Sequence, residues 1–143
     1  MRKFVVDAGL DDRIIVDSAG THAYHVGEPP DPRALAAARR RGYDLANLRA
    51  RQVADSDFEK FDLMLAMDFN NIAHLNEVCP LQHRPKVGLL MPYASNRRAS
   101  IVHDPYYRNA KDFELVLDYI EDACRGLVQV VSSEDGRQVA RCV

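Results

Sequence analysis

Cysteine is scarce in this chain of 143 residues: Cys79, Cys124 and Cys142 are an odd count, and no two of them stand in a CxxC pair. That argues against both a disulfide framework and a zinc cluster, so no metal or other cofactor is expected, and a reducing, cytoplasmic compartment fits best. An excess of either charge is also missing, with 19 Lys and Arg against 21 Asp and Glu, and neither nucleic acid nor an anionic membrane surface is expected as a partner. Long apolar runs are lacking too. The opening MRKFVVDAGL has no signal-peptide core and nothing approaches a membrane span, so export and membrane insertion are not supported. Without repeats or low-complexity linkers to divide it, residues 1–143 read as one domain, large enough to bury about two-thirds of its unfolded surface.

What is present alternates between helical and strand periods. Phe4, Val5 and Ala8 share a helical face and Gly9 follows as a left-handed stop, predicting a helix from Met1 to Ala8. Ile14 to Asp17 reads as a short buried strand. Asp31 caps a helix with Pro32 at its first position, an alanine-rich body to Arg41 and Gly42 at its end. Asp55 or Ser56 opens a short helix, Phe61 to Met67 is an apolar strand, and Asp68 caps a helix through Glu77 that Pro80 closes. Lys86 to Leu90 is the next strand. Phe113, Val116, Leu117, Ile120, Cys124, Leu127, Val128 and Val131 recur at three and four, the signature of one long amphipathic helix. Strands separated by helices predict an α/β fold with a mostly parallel sheet and its ligands at the carboxyl ends of the strands.

The first helix is odd in this scheme. It spans about two turns, carries no capping residue and follows no strand, although isolated helices that short are marginal in water. A doubly wound fold would place a strand and an anion-binding loop before it, and the sequence holds no such element ahead of Met1.

The stretches VDSAGTHAYHVGEPPDPRA, LRARQV, FDLMLAMD and HDPYYR, in this order and at these intervals, resemble low-molecular-weight protein tyrosine phosphatases from the first helix to the last. The resemblance implies a flavodoxin-like three-layer sandwich with a four-stranded parallel sheet, here truncated at its N-terminus so that the central first strand is missing. It implies a phosphotyrosine-containing protein or an aryl phosphate as substrate. It further implies a cysteine thiolate that attacks phosphorus from a loop of cysteine, five residues and arginine, and an aspartic acid in a DP motif that protonates the leaving phenolate. Relatives often carry histidine where this chain has Leu48, and that departure concerns the ordering of the missing loop.

That loop is absent. Six positions after Cys79 stands Pro85, six after Cys124 stands Val130, and Cys142 has one residue behind it. Pro80 and Pro85 also remove two backbone donors that a phosphate cradle requires; Cys124 lies in an apolar helical stripe and reads as core, and Cys142 as an exposed tail residue. Taken alone, Asp104 before Pro105 would begin a turn. The resemblance makes it the general acid, makes Tyr106 and Tyr107 aromatic borders of the cleft, and makes Ser18 a hydrogen-bonding support for the nucleophile loop, without its partner here. Arg51 matches a basic position near the site and also fits a surface ion pair; His74 and His103 are assigned no role.

Two functional classes follow. In the first, the full gene product starts upstream and is an active phosphatase, the 143 residues alone being inactive. In the alternative, the chain is a catalytically dead phosphatase-like binding module, which loses ground because the phosphate cradle supplies most phosphate affinity. A thiol-dependent arsenate reductase would need a cysteine relay that Cys79 alone does not supply. Unpaired backbone where the central strand is missing predicts self-association through the exposed sheet edge.

Overall fold

The computed structural model of the chain describes residues 1–96 and 99–133, and the backbone of 140–142. The order of elements is α1 Arg2–Asp7, β1 Ile14–Val16, α2 Pro32–Arg40, α3 Asp55–Lys60, β2 Met64–Ala66, α4 Phe69–Val78, β3 Val87–Leu89, α5 Ala110–Ser133 and β4 Ala140–Cys142. Two short 3-10 turns, Leu81–Lys86 and Met91–Tyr93, flank β3. The sequence signals for helix ends hold. Gly9 takes φ 67° after α1. Asp31 caps α2 by accepting from Arg33 N–H at 2.7 Å, and Asp68 caps α4 by accepting from Asn71 N–H at 2.7 Å.

The sandwich follows from the period-2 alternation of β2. Met64 and Ala66 point to one face, where Phe58, Phe61, Leu75 and Cys79 bury with them under α3 and α4. Leu63, Leu65 and Met67 point to the other, against a cluster of Leu90, Met91, Val102, Ala123 and Leu127 under α5. Fully excluding Phe58, Phe61, Met64 and Leu127 from water contributes roughly 1.5–3 kcal/mol per side chain. Arg41 at the end of α2 donates to Glu114 at 2.8 Å, and pairs with Asp118 at 2.7 Å and Glu121 at 3.3 Å, which fixes α2 to one face of α5. Gly126 is where α5 crosses the turn at Tyr93: a Cβ there would lie 1.9 Å from the Tyr93 carbonyl oxygen, so only glycine permits the approach.

The strands are shorter than the apolar runs that suggested them. Phe61, which ends α3, and Asp62 are irregular, Leu63 makes a single β-bridge, and the strand begins at Met64. β2 pairs parallel with β3, but β1 and β2 are not neighbours: the described strands form two separate pairs. β4, which the sequence did not reveal, pairs parallel with β1, setting Ile14 opposite Ala140 and Val16 opposite Cys142. Residues 140–142 are therefore strand backbone, and among the described strands β1 has one pairing partner.

Candidate active site at the carboxyl ends of the strands

The predicted site residues fall at the carboxyl ends of β1 and β2. Val102 N–H donates to the carbonyl of Met67, just past β2, at 2.8 Å, and the Val102 side chain is 3% exposed. This docking carries the loop from His103 to Asn109 over the edge of the sheet. Asp104 is exposed, and its Oδ1 accepts from the Tyr106 N–H at 2.9 Å. Arg108 N–H closes the next turn on the Pro105 carbonyl at 2.9 Å. Asp104 thus does form the aspartate turn that its sequence setting favours. Because one carboxylate oxygen is held by the backbone, the orientation of the other is fixed as well.

Tyr106 and Tyr107 meet edge to face at 5.0 Å, and Tyr107 is 94% exposed. Two aromatic rings on solvent, next to an oriented carboxyl, can stack on an aryl group while the acid reaches its oxygen. One residue that the sequence reading passed over holds this loop from behind. Arg33, next to the α2 cap, donates to the Tyr106 carbonyl at 2.9 Å and the Arg108 carbonyl at 3.3 Å.

Ser18 sits on the turn after β1, where its N–H donates to Asp17 Oδ1 at 2.9 Å. Together with Asp17, Ala19, Gly20 and Thr21 it lines a cavity of about 210 Å³, closed on the far side by Met64 to Met67, Asn71 and Leu75. A second cavity of about 490 Å³ shares Ser18 to Thr21 and adds His22, Tyr24, His25 and Arg49 to Arg51. Neither cavity is lined by Asp104, Tyr106 or Tyr107. The structure therefore groups the acid with the two tyrosines and leaves Ser18 with the empty space between β1 and β2.

Arg51 is neither a free cation for that space nor a plain surface arginine. It donates to Asp17 Oδ2 at 2.9 Å and to Asp57 Oδ2 at 2.7 Å, and Asp57 is 5% exposed. Burial would push the Asp57 carboxyl up, but the bonds from Arg51 and from Ala54 N–H outweigh it and hold it below the usual carboxylate range. Leu48 is half-buried on a different, apolar cavity beside Tyr43 and Ile120. His74 meets His22 edge-on at 4.5 Å, and buried His74 Nδ1 and His103 Nε2 lack hydrogen-bond partners.

The thiols are equally plain. Cys79 is 4% exposed, its Sγ lies 3.4 Å from the Pro80 carbonyl, and burial pushes its pKa up. A thiol so placed is a poor source of thiolate. Cys124 is 3% exposed in the α5 core, as its position in the apolar stripe predicts. Among the described residues no cluster of three or more metal-ligating side chains occurs, and no helix is long and apolar enough to cross a membrane.

An open parallel α/β protein with its acid and aromatic residues on a loop at the carboxyl edge defines the class. The model of the low molecular weight phosphotyrosine protein phosphatase family matches residues 1–138, and the chain belongs to that family. It is 43% identical over 113 residues to the low molecular weight phosphotyrosine protein phosphatase of Schizosaccharomyces pombe, covering 78% of this chain and 72% of that one. It is 35% identical over 134 residues to the human protein of the same description, covering 90% and 81%. The crystal structure of a protein tyrosine phosphatase from Entamoeba histolytica, with Hepes in its active site, superposes with a TM-score of 0.88 at 35% identity, covering 92% of this chain and 83% of that one. The flavodoxin-like α/β fold with a parallel sheet is thereby shown.

Proposed function

We propose that residues 1–143, acting as one domain, carry the leaving-group half of a phosphotyrosine phosphatase. Asp104 is the general acid, and Tyr106 and Tyr107 grip the phenyl ring of a phosphotyrosine-containing protein or of an aryl phosphate. The observation that carries this reading is the docking of the loop on the carboxyl end of β2, with the Asp104 carboxyl oriented by the Tyr106 N–H. Phenolate leaves poorly without a proton, and a positioned acid contributes about 10²–10⁴-fold.

In the same reading the chain as it stands does not hydrolyse phosphate esters. The sequence has no cysteine followed six positions on by arginine, and Cys79 and Cys124 are free but buried. Ser18 supports a loop that would fill the cavity between β1 and β2. Two free thiols in the core and no excess of positive charge support a reducing, cytoplasmic setting and a protein partner.

The test compares the 143-residue chain with a version extended at its N-terminus by an apolar strand and a cysteine-five-arginine loop. The unextended chain should leave p-nitrophenyl phosphate intact, and the extended one should hydrolyse it in an iodoacetate-sensitive way. In the extended protein, Asp104→Asn should slow phenyl phosphate far more than p-nitrophenyl phosphate, because only the poorer leaving group needs the proton. Iodoacetate-sensitive hydrolysis by the 143 residues alone would overturn the reading.

A further inference from the structure

The side-chain hydrogen bonds of Arg33 run to its own helix cap and to the acid loop. Its Nε and Nη2 fork onto Asp31 at 3.1 and 2.7 Å. A second Nη2 hydrogen reaches the Tyr106 carbonyl, 73 positions away in sequence, at 2.9 Å, and Nη1 reaches the Arg108 carbonyl at 3.3 Å. Its guanidinium carbon lies 4.7 Å from the Phe113 ring centroid and 5.4 Å from that of Tyr106. The planar fork makes these four bonds at once, one more than the three donors of an ammonium can supply. Tyr106 is thus gripped on both sides: its carbonyl is bound by Arg33 and its N–H by the Asp104 carboxylate.

We propose that Arg33 is the positioning residue of the general-acid loop, bracing the Tyr106 peptide so that Asp104 is held in one orientation for proton transfer to the leaving oxygen. This role rests on the phosphatase reading for its purpose, but the brace itself is a property of the unextended chain. Asp31 sits between the two functions. It caps α2 through the Arg33 backbone N–H, which a side-chain change leaves in place, and it holds the guanidinium through the fork. Capping and bracing are therefore separable by mutation.

The experiment is backbone ¹⁵N relaxation on the 143-residue protein, comparing Arg33→Ala and Arg33→Lys with the parent. With the brace intact, Tyr106 to Arg108 should show order parameters near the rigid value of about 0.85, and both variants should fall toward about 0.6 there while α2 and α5 keep theirs. The Tyr106 amide should also lose the downfield shift of a bonded N–H in Arg33→Ala. Unchanged order parameters across the loop in both variants would overturn the proposal. If Arg33→Ala fails to fold, Arg33→Lys, which keeps the charge but lacks the fork that binds Asp31 and both carbonyls together, decides alone by the same criterion. In the extended, active protein Arg33→Ala should copy the leaving-group selectivity of Asp104→Asn, losing on the order of 10-fold or more on phenyl phosphate with little loss on p-nitrophenyl phosphate. Equal losses on both substrates would mean general damage and would count against positioning. Absence of any hydrolysis by the extended parent would instead sink the phosphatase reading, leaving the relaxation result to stand by itself.

Discussion

The loop from Val102 to Asn109 and the turn from Asp17 to Thr21 both lie at the carboxyl edge, yet they are built oppositely. The loop is tied down by the Val102 bond to β2, by its own aspartate turn and by Arg33 reaching across from α2. The turn faces a cavity of about 210 Å³, and the ion pair at its start, Asp17 with Arg51, continues to Asp57 in α3. In the phosphatase reading the leaving-group half is preorganised without the nucleophile half, whereas the nucleophile half depends on atoms that these residues do not supply.

The sharpest way to break this contrast is Arg51→Ala. It strips the partner from a carboxylate that is 5% exposed, and should lower stability by about 2 kcal/mol once the partial exposure of Arg51 is discounted, or roughly 6 °C in Tm. The sign with pH is distinctive. In the parent the depressed Asp57 carboxyl contributes stability above its ordinary value of about 4, and that contribution is lost as pH falls through its lower folded value. In the variant only the Ala54 N–H and the charge of Lys60 still oppose burial, so the deficit should be largest near neutrality and shrink as pH drops below about 4. Thermal melts between pH 3 and 7 read this directly, and a pH-independent deficit would refute it.

A smaller effect is expected from ending the chain after Ser133, which removes β4 and leaves the β1 backbone unpaired. Loss of a few strand hydrogen bonds should cost about 1–2 kcal/mol, and the exposed edge should drive concentration-dependent association. Sedimentation of a clean monomer with an unchanged melt would show that β4 contributes nothing to β1. Smaller again is the acid response of the Arg33 brace. The fork from Arg33 holds Asp31 down at about 2, so its contribution is complete above about pH 4 and disappears as pH falls through 2. Order at Tyr106 should therefore persist at pH 4 and fail near pH 2. Least of all, Tyr107→Ala should move stability by less than about 0.5 kcal/mol, its ring being 94% exposed, while weakening aryl phosphate turnover by the extended protein.

Much of the fold was legible because its signals are local. Asp31 before Pro32, Asp68 before α4 and Gly9 after α1 each act within one helical turn, and each appears in the structure as the sequence predicts. The long stripe of α5 was equally plain, since Phe113, Cys124, Leu127 and Val128 all bury. Strand lengths were overread because an apolar run reports burial and not backbone pairing: Phe61 is 0% exposed yet stands outside β2. Asp104, Tyr106 and Tyr107 share one loop because they are neighbours in the chain. Arg33 was missed because the PDPRA stretch announces a helix cap and says nothing of carbonyls 73 and 75 positions downstream. Arg51 was half-read: its basic character was visible, but the two carboxylates that consume it come from the turn after β1 and from α3.

The parallel pairing of β1 with β4 also imposes an order in time. Ile14 is matched to Ala140, 126 positions later, so the described partner of β1 cannot exist until nearly all of these residues have been made. At about 5–20 residues per second, an emerging chain would carry β1 unpaired for on the order of 10 s. During that interval β2, α4 and β3, which are contiguous in sequence, can already close on one another. The short-range half of the sheet is then born folded, and the long-range half waits, exposed to chaperones and to other nascent chains.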